Sequence, residues 1–395
     1  MIAETWDVMT YRDGMDQLDP STLNTVLAES RAYDPDAYTA ADVERALASD
    51  DCSLEDFKAL LSPAAEPYLE EIAAKAQAIT RARFGNSVCL FTPLYIANYC
   101  DNGCVYCGFN CSNHIKRGAL SHDELIRELD TIAATGLEDI LILTGESERM
   151  SNVQWIGEAI KLAAERFTTV GIEIYPANVA DYKYLHECGA DFVTVFQETY
   201  DPAKYAEVHL RGNKRSLPYR FYAQERALMG GFRGAGFGAL LGLSDNFRKD
   251  AFATGLHIEL TQQKFPEADL AISVPRIRPF VNEDETNVKE QLSDAVHETQ
   301  LLQIMCAQRI YHPQLSMTIS TREREGFRDA AVGICATKIS AGVHTDVGGH
   351  TEAQANEAET DAQFDINDPR SVSQVHAALL AHGLQPVYSD FIHVD

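Results

Sequence analysis

The sequence has no apolar run of about 18 or more residues, the length a helix needs to cross a bilayer, so no membrane partner is predicted. Its first residues, MIAETWDVMTYRDGMD, are acidic where a secretory signal would carry an apolar core, and a cytoplasmic location is expected. Cations are scarce. The chain of 395 residues holds 33 Lys and Arg against 59 Asp and Glu, a formal charge of −26. Such a surface repels phosphate backbones, which argues against nucleic acid as a partner. A disulfide framework is also missing: there are nine cysteines, an odd number, and four of them crowd between Cys100 and Cys111. In a long cytosolic chain that clustering points to metal or redox chemistry. No internal repeat is visible beyond an alternation of short apolar runs and helical patterns.

That alternation carries the fold prediction. Residues 1–84 read as a helical extension, with Thr39 before an Asp-Val-Glu first turn and Ser53 with Asp56 as a capping-box variant. Phe84-Gly85-Asn86 ends the run. Strands are then expected at Ser87–Thr92, Asp139–Thr144, Val170–Tyr175, Asp191–Phe196, Gly236–Leu241, Leu270–Arg276, Leu315–Thr321 and, most weakly, Ile334–Ser340. Helical patterns lie between them, and Gly136 and Gly189 stand where helix ends want a left-handed residue. Alternating β and α predicts an α/β fold with a parallel sheet, and eight units suggest a closed (β/α)8 TIM-type barrel over residues 85–345. Residues 346–395 read as an acidic loop followed by a short C-terminal helix and tail; from Glu352 to Asp368 there are six acidic residues and no Lys or Arg.

Just after the first strand stands Cys100-Asp-Asn-Gly-Cys104-Val-Tyr106-Cys107, a C-x3-C-x2-C spacing with an aromatic before the third cysteine. Thiolates suit iron–sulfur clusters, and three of them leave one iron of a 4Fe–4S cluster open to a further ligand. The other chemistry open to this segment is a tetrahedral zinc site closed by Cys111 or His114, in a barrel with a binding role. The motif and its place after the first barrel strand resemble the radical S-adenosylmethionine (SAM) enzymes. That resemblance implies a 4Fe–4S cluster on Cys100, Cys104 and Cys107 with SAM on the open iron, and Tyr106 belongs with the cofactor-binding set.

Other candidates sit where barrel active sites form, at the C-terminal ends of strands. Thr144-Gly145-Glu146 is placed like the turn that binds the SAM amino group in that superfamily, with Thr in place of a first glycine; alone it would read as an ordinary turn. Gln197 and Glu198 end the fourth strand and could meet the ribose, or could cap a helix. Glu173 alternates with Ile172 and Ile174, so it faces the barrel interior if they pack outward. Arg276 and Arg278 share a side of the sixth strand and could clamp a carboxylate or form surface ion pairs; Arg278 is taken with the cofactor set. Arg322 and Ser340 end the seventh and eighth strands, and Tyr95 precedes the cysteine loop, where core packing is the plain alternative.

The resemblance narrows. FTPLY (Phe91 to Tyr95), CVYCGF, SNHIKR (Ser112 to Arg117), TGE, FQETY (Phe196 to Tyr200), GLSDN, PRIRP, STRE, a QF pair and the terminal HGLQPVYSDF together resemble the 2-iminoacetate synthase family, the tyrosine lyases of thiamine thiazole biosynthesis. The match runs from about residue 40 to the end. It implies reductive cleavage of SAM, hydrogen abstraction from the amino group of L-tyrosine, and Cα–Cβ scission to p-cresol and 2-iminoacetate. It further implies Arg322 and Ser340 on the substrate carboxylate, Tyr95 near the amine, a flavodoxin or ferredoxin reductant, and a thiazole synthase partner. Tryptophan lyases and the tyrosine-cleaving hydrogenase maturases are the related alternatives. The maturases need further cysteines near their C-terminus, and this sequence has none after Cys335.

Overall fold

A computed structural model describes residues 4–277, 296–351, 363–364 and 366–389. Four helices precede the sheet: α1 (Ser21–Ala32), α2 (Ala40–Ala48), α3 (Leu54–Leu61) and α4 (Leu69–Phe84). Both predicted caps form. The Asp42 carboxylate accepts from Thr39 N at 2.9 Å, and Asp56 and Ser53 exchange hydrogen bonds of 3.1 and 3.2 Å. Gly85 ends α4 at φ +64°.

Eight parallel strands then close a barrel: β1 (Ser87–Ala97), β2 (Asp139–Thr144), β3 (Thr169–Glu173), β4 (Phe192–Thr194), β5 (Gly234–Phe237), β6 (Asp269–Ser273), β7 (Ser316–Ile319) and β8 (Lys338–Ser340). The strands run in order from β2 to β8 and then β1, and β1 pairs back onto β2. Helices α5 (His122–Ala133), α6 (Val153–Ala164) and α7 (Val179–Glu187) cross over the first units. The later crossovers are α8 (Pro202–Val208), α9 (Leu217–Phe221) and α10 (Ala223–Met229), then α11 (Phe247–Lys264), α12 (Glu298–Tyr311) and α13 (Glu325–Ile334). Helix α14 (Val372–Ala381) and β9 (Gln385–Val387) follow. The (β/α)8 architecture expected from the alternation is the one observed. Gly136 and Gly189 adopt φ +86° and +114°, as the helix ends require.

Most strand ends shift from the sequence reading: β5 runs Gly234–Phe237 where Gly236–Leu241 is expected, Ile334 ends α13 instead of opening the last strand, and two further differences have a reason in the ladder. The first strand is expected to end at Thr92, yet β1 continues through Pro93 to Ala97 and pairs Thr92 through Ala97 with β2. The ladder explains this. Residues 89, 91 and 95 bond toward the β8 side, so the missing N–H of Pro93 falls beyond Ser340, the last paired residue of β8. The tail also contains a strand: β9 pairs in parallel with Ser87–Cys89, below the point where β2 begins. The hydrophobic core lies mainly between the outer strand faces and the helices, with Leu90, Ile142, Ile172 and Ile339 buried there. Among the described residues no helix is long and apolar enough to cross a membrane.

Candidate active site

The cysteine loop is held by main-chain bonds. Val105 N donates to Val208 O and Leu210 N to Gly103 O, each at 3.0 Å, so the loop is zipped to the segment after α8. Arg117, from the SNHIKR motif, donates to the carbonyls of Asn98, Phe109 and Asn110 at 2.6–2.9 Å and gathers both ends of the loop. Gly145 N donates to Ala97 O at 2.8 Å. A Cβ at Gly145 would stand 2.2 Å from Tyr99 O, so the turn after β2 can approach the loop only as glycine.

Barrel lumens are commonly filled by side chains. Here a cavity of about 1090 Å³ runs through the lumen. Cys100, Cys104 and Cys107 form part of its wall and all three are free thiols. Burial pushes Cys100 up to about 12 and raises Cys104 and Cys107 as well. Such thiols ionise only beside a strong positive charge, which iron supplies. Among the described residues no three His, Cys, Asp or Glu are gathered closely enough to hold a single ion. A cubane spreads its thiolates to separate irons and suits three thiols placed around one wall. Cys111 lies against Ser112 Oγ, off the cavity wall.

Beside the thiols sits a group of four charges. Lys214 Nζ is 2.7 Å from Glu198 and 3.7 Å from Glu146, while Arg220 is 2.9 Å from Glu146 and 3.6 Å from Glu198. Burial alone would raise Glu146, but Arg220 and Lys214 hold it below the ordinary carboxylate range. Asn102 donates to Glu146 at 2.8 Å and accepts from Lys214 N at 3.0 Å, tying this group to the cysteine loop. Glu198 adopts φ +70°, the one left-handed non-glycine among the described residues. Thr144 Oγ1 is buried without a partner and its residue lines the cavity, leaving a hydroxyl for a ligand. Together the unpaired hydroxyl, the glycine cradle and the mixed charges fit the amino-acid end of SAM.

Tyr106 lines the cavity through its ring, under Lys214 at 5.7 Å. Its hydroxyl donates to His209 Nε2 at 2.7 Å, because His209 Nδ1 faces Tyr205 O and carries the ring proton. Glu173 lines the cavity and has no hydrogen bond among the described residues; burial, then Glu198, push it up to about 7. Arg322 reaches the cavity with its guanidinium 3.6 Å from the Phe364 ring centre. Ser340 accepts from Arg328 at 3.4 Å, and its own hydroxyl proton has no acceptor among the described residues. Tyr95 donates to Gln363 Oε1 at 2.6 Å.

Three candidates fall elsewhere. Gln197 is off the cavity wall, buried with both amide atoms unpartnered. Arg278 lies outside the described residues. Arg276 is no carboxylate clamp for a ligand: it forks onto Glu323 at 2.6 and 2.8 Å and donates to Val296 O, the ion-pair alternative. The sequence reading missed Lys214, Arg220, Asn102 and Gln363. The first two follow FQETY in a segment without a metal or phosphate spacing, and only the fold-back of α8 and α9 brings them to the thiols.

Residues 94–246 match the Radical SAM superfamily, and residues 273–385 match the Biotin and Thiamin Synthesis associated domain. A 2-iminoacetate synthase of Escherichia coli is 39% identical over 353 residues, covering 89% of this chain and 91% of the relative. The chain belongs to the 2-iminoacetate synthase family. A second member, from Salmonella typhimurium, matches at the same identity and coverage. As a family member the chain is a radical SAM lyase that uses a 4Fe–4S cluster and SAM. Among solved structures, the FeFe-hydrogenase maturase HydG superposes with a TM-score of 0.82 at 28% identity, covering 94% of this chain and 80% of that one. A 2-iminoacetate synthase fold therefore also fits the maturase scaffold.

Proposed function

We propose that this chain cleaves the Cα–Cβ bond of L-tyrosine to 2-iminoacetate and p-cresol, with SAM converted to 5′-deoxyadenosine and methionine, for assembly of the thiamine thiazole. The observation that carries the reading is Arg322. Its guanidinium lines the cavity, and among the described residues it has no carboxylate partner. A half-buried cation of this kind is suited to a forked bond with a substrate carboxylate. Ser340 and Tyr95 share the cavity with it, and the Ser340 hydroxyl proton has no acceptor among the described residues.

In this reading Cys100, Cys104 and Cys107 hold the cluster, and Thr144, Gly145, Glu146 and Glu198 with Lys214 and Arg220 receive SAM. Bound SAM, once reduced through the cluster, supplies the hydrogen-abstracting radical chemistry. The chain's own residues prepare the substrate. Arg322 and Ser340 fix the carboxylate. Glu173, poised near neutrality, accepts a proton from the substrate ammonium so that an N–H of a neutral amine faces the reacting centre. The barrel wall around the cavity limits the water that reaches the radical. A reduced flavodoxin or ferredoxin is the proposed electron source, and a thiazole synthase the proposed recipient of 2-iminoacetate.

The test is substrate choice. The reduced, cluster-loaded protein is supplied with SAM and equal amounts of tyrosine, tryptophan and phenylalanine. Release of p-cresol alone supports the reading, and an indole product as the main one would assign the cavity to a tryptophan lyase.

A further inference from the structure

The dipeptide Gln363-Phe364 lies far along the chain from the cysteine motif but touches both ends of the site. Gln363 N donates to Thr345 O at 3.1 Å, and Thr345 Oγ1 donates to Phe364 O at 3.0 Å, so the main chain is anchored just past β8. From that anchor the Phe364 ring covers the Arg322 guanidinium. The Gln363 amide spans from Tyr95, which donates to its Oε1 at 2.6 Å, to Cys107, whose Sγ receives its Nε2 at 3.7 Å.

We infer that Gln363 is a positioning residue for the cluster: its amide N–H group, oriented by Tyr95, donates to the Cys107 sulfur and raises the reduction potential of the iron–sulfur centre. The orientation is determined by the partners. The Tyr95 hydroxyl has one proton and gives it to the amide oxygen, which turns the NH2 group toward sulfur. A ligating thiolate is an acceptor only, so the flipped amide would set an oxygen lone pair against negative charge. A donor at a ligating sulfur stabilises the reduced cluster, which carries one more negative charge, more than the oxidised one. A redox effect therefore follows from a residue that ligates nothing. The inference rests on Cys107 being a cluster ligand.

The experiment is an anaerobic redox titration of the cluster-loaded protein, followed by electron paramagnetic resonance, with iron and sulfide counted per chain. Wild type, Gln363→Leu and Gln363→Glu are compared. The expected result is wild-type iron in both variants with midpoints moved to more negative potential. For Leu the reduced-to-oxidised ratio at fixed potential falls roughly tenfold, about 59 mV for one electron. For Glu the fall is larger, because an ionised carboxylate donates nothing and adds charge. Glu also keeps the chain length and the acceptor for Tyr95, and it carries the test if the Leu variant loads no iron. Full iron with an unmoved midpoint overturns the inference and leaves the cluster assignment standing. Cys107→Ala separates the two: if that variant keeps an unaltered cluster, the assignment beneath the inference fails instead.

Discussion

Replacing Arg322 by Ala should remove tyrosine binding while leaving the fold nearly unchanged, and the two effects can be sized from the structure. On the stability side, the side chain has no carboxylate partner among the described residues and makes one ring contact, with Phe364 at 3.6 Å. That contact is worth roughly 0.5–2 kcal/mol. Against it stands the cost of burying the guanidinium, whose pKa is lowered by desolvation. The two nearly offset, so the melting temperature should stay within about 2 °C of wild type. On the catalytic side, truncating one partner of a buried charge pair costs roughly 2–5 kcal/mol. Taking about 3 kcal/mol, at 1.4 kcal/mol per tenfold, kcat/KM for tyrosine falls on the order of 100-fold. Arg322→Lys keeps the charge but loses the fork, and should fall between. The assay is the initial rate of p-cresol release across tyrosine concentrations, alongside 5′-deoxyadenosine formed without tyrosine. The latter should persist in both variants, since the cluster and SAM residues are untouched. An Ala variant with wild-type KM for tyrosine would refute the carboxylate assignment.

Other outcomes follow from the same geometry. Glu173 has its pKa raised from 4.5 to about 7, so the folded state binds the extra proton between these values. Folding stability should therefore fall by up to about 3 kcal/mol as pH rises from 4.5 through 7 and then level off. Glu173→Gln should remove this slope and raise the melting temperature at pH 8, and melts of both proteins across pH check it. The same carboxylate should contribute a limb near pH 7 to the tyrosine rate, activity rising as it ionises, and Glu173→Gln should abolish that limb. Gly145→Ala drives a Cβ into the main chain of Tyr99, so iron per chain after reconstitution should fall below stoichiometry while far-ultraviolet circular dichroism holds. Arg328 pairs with the buried Asp368, which Arg370 also holds at 2.7 Å, so Arg328→Met should destabilise by about 1–3 kcal/mol in thermal or denaturant unfolding, through the hydrogen bonds lost at Asp368 and Ser340.

Local chemistry was legible in the sequence, and long-range pairing was not. Asp139–Thr144 was read with its observed ends because an uninterrupted apolar run is bounded by polar turns on both sides. The caps at Thr39 and Ser53 and the glycine ends at 136 and 189 depend on neighbours within a few residues, and they too were readable. The cysteine spacing announced its chemistry for the same reason. Strand β1 was cut short at Pro93 because the cost of a missing N–H depends on which neighbour the ladder faces, and β8 had already ended there. Strand β9 is three residues long, too short for any periodicity. Lys214 and Arg220 acquire meaning only opposite Glu146 and Glu198, and Gln363 only opposite Tyr95, 268 positions away. Arg276 and Arg322 look alike on paper. Glu323 sits within reach of the first and engages it, while the second is left to the cavity.

Cluster-dependent cleavage of tyrosine is the reaction to be tested. Its most direct test is a single anaerobic incubation of the reconstituted, dithionite-reduced protein with SAM and L-tyrosine, with products resolved by mass. Wild type should form 5′-deoxyadenosine and p-cresol together, and Cys104→Ala neither. Formation of 5′-deoxyadenosine without p-cresol would contradict the substrate, and p-cresol from the Cys104→Ala protein would contradict the chemistry.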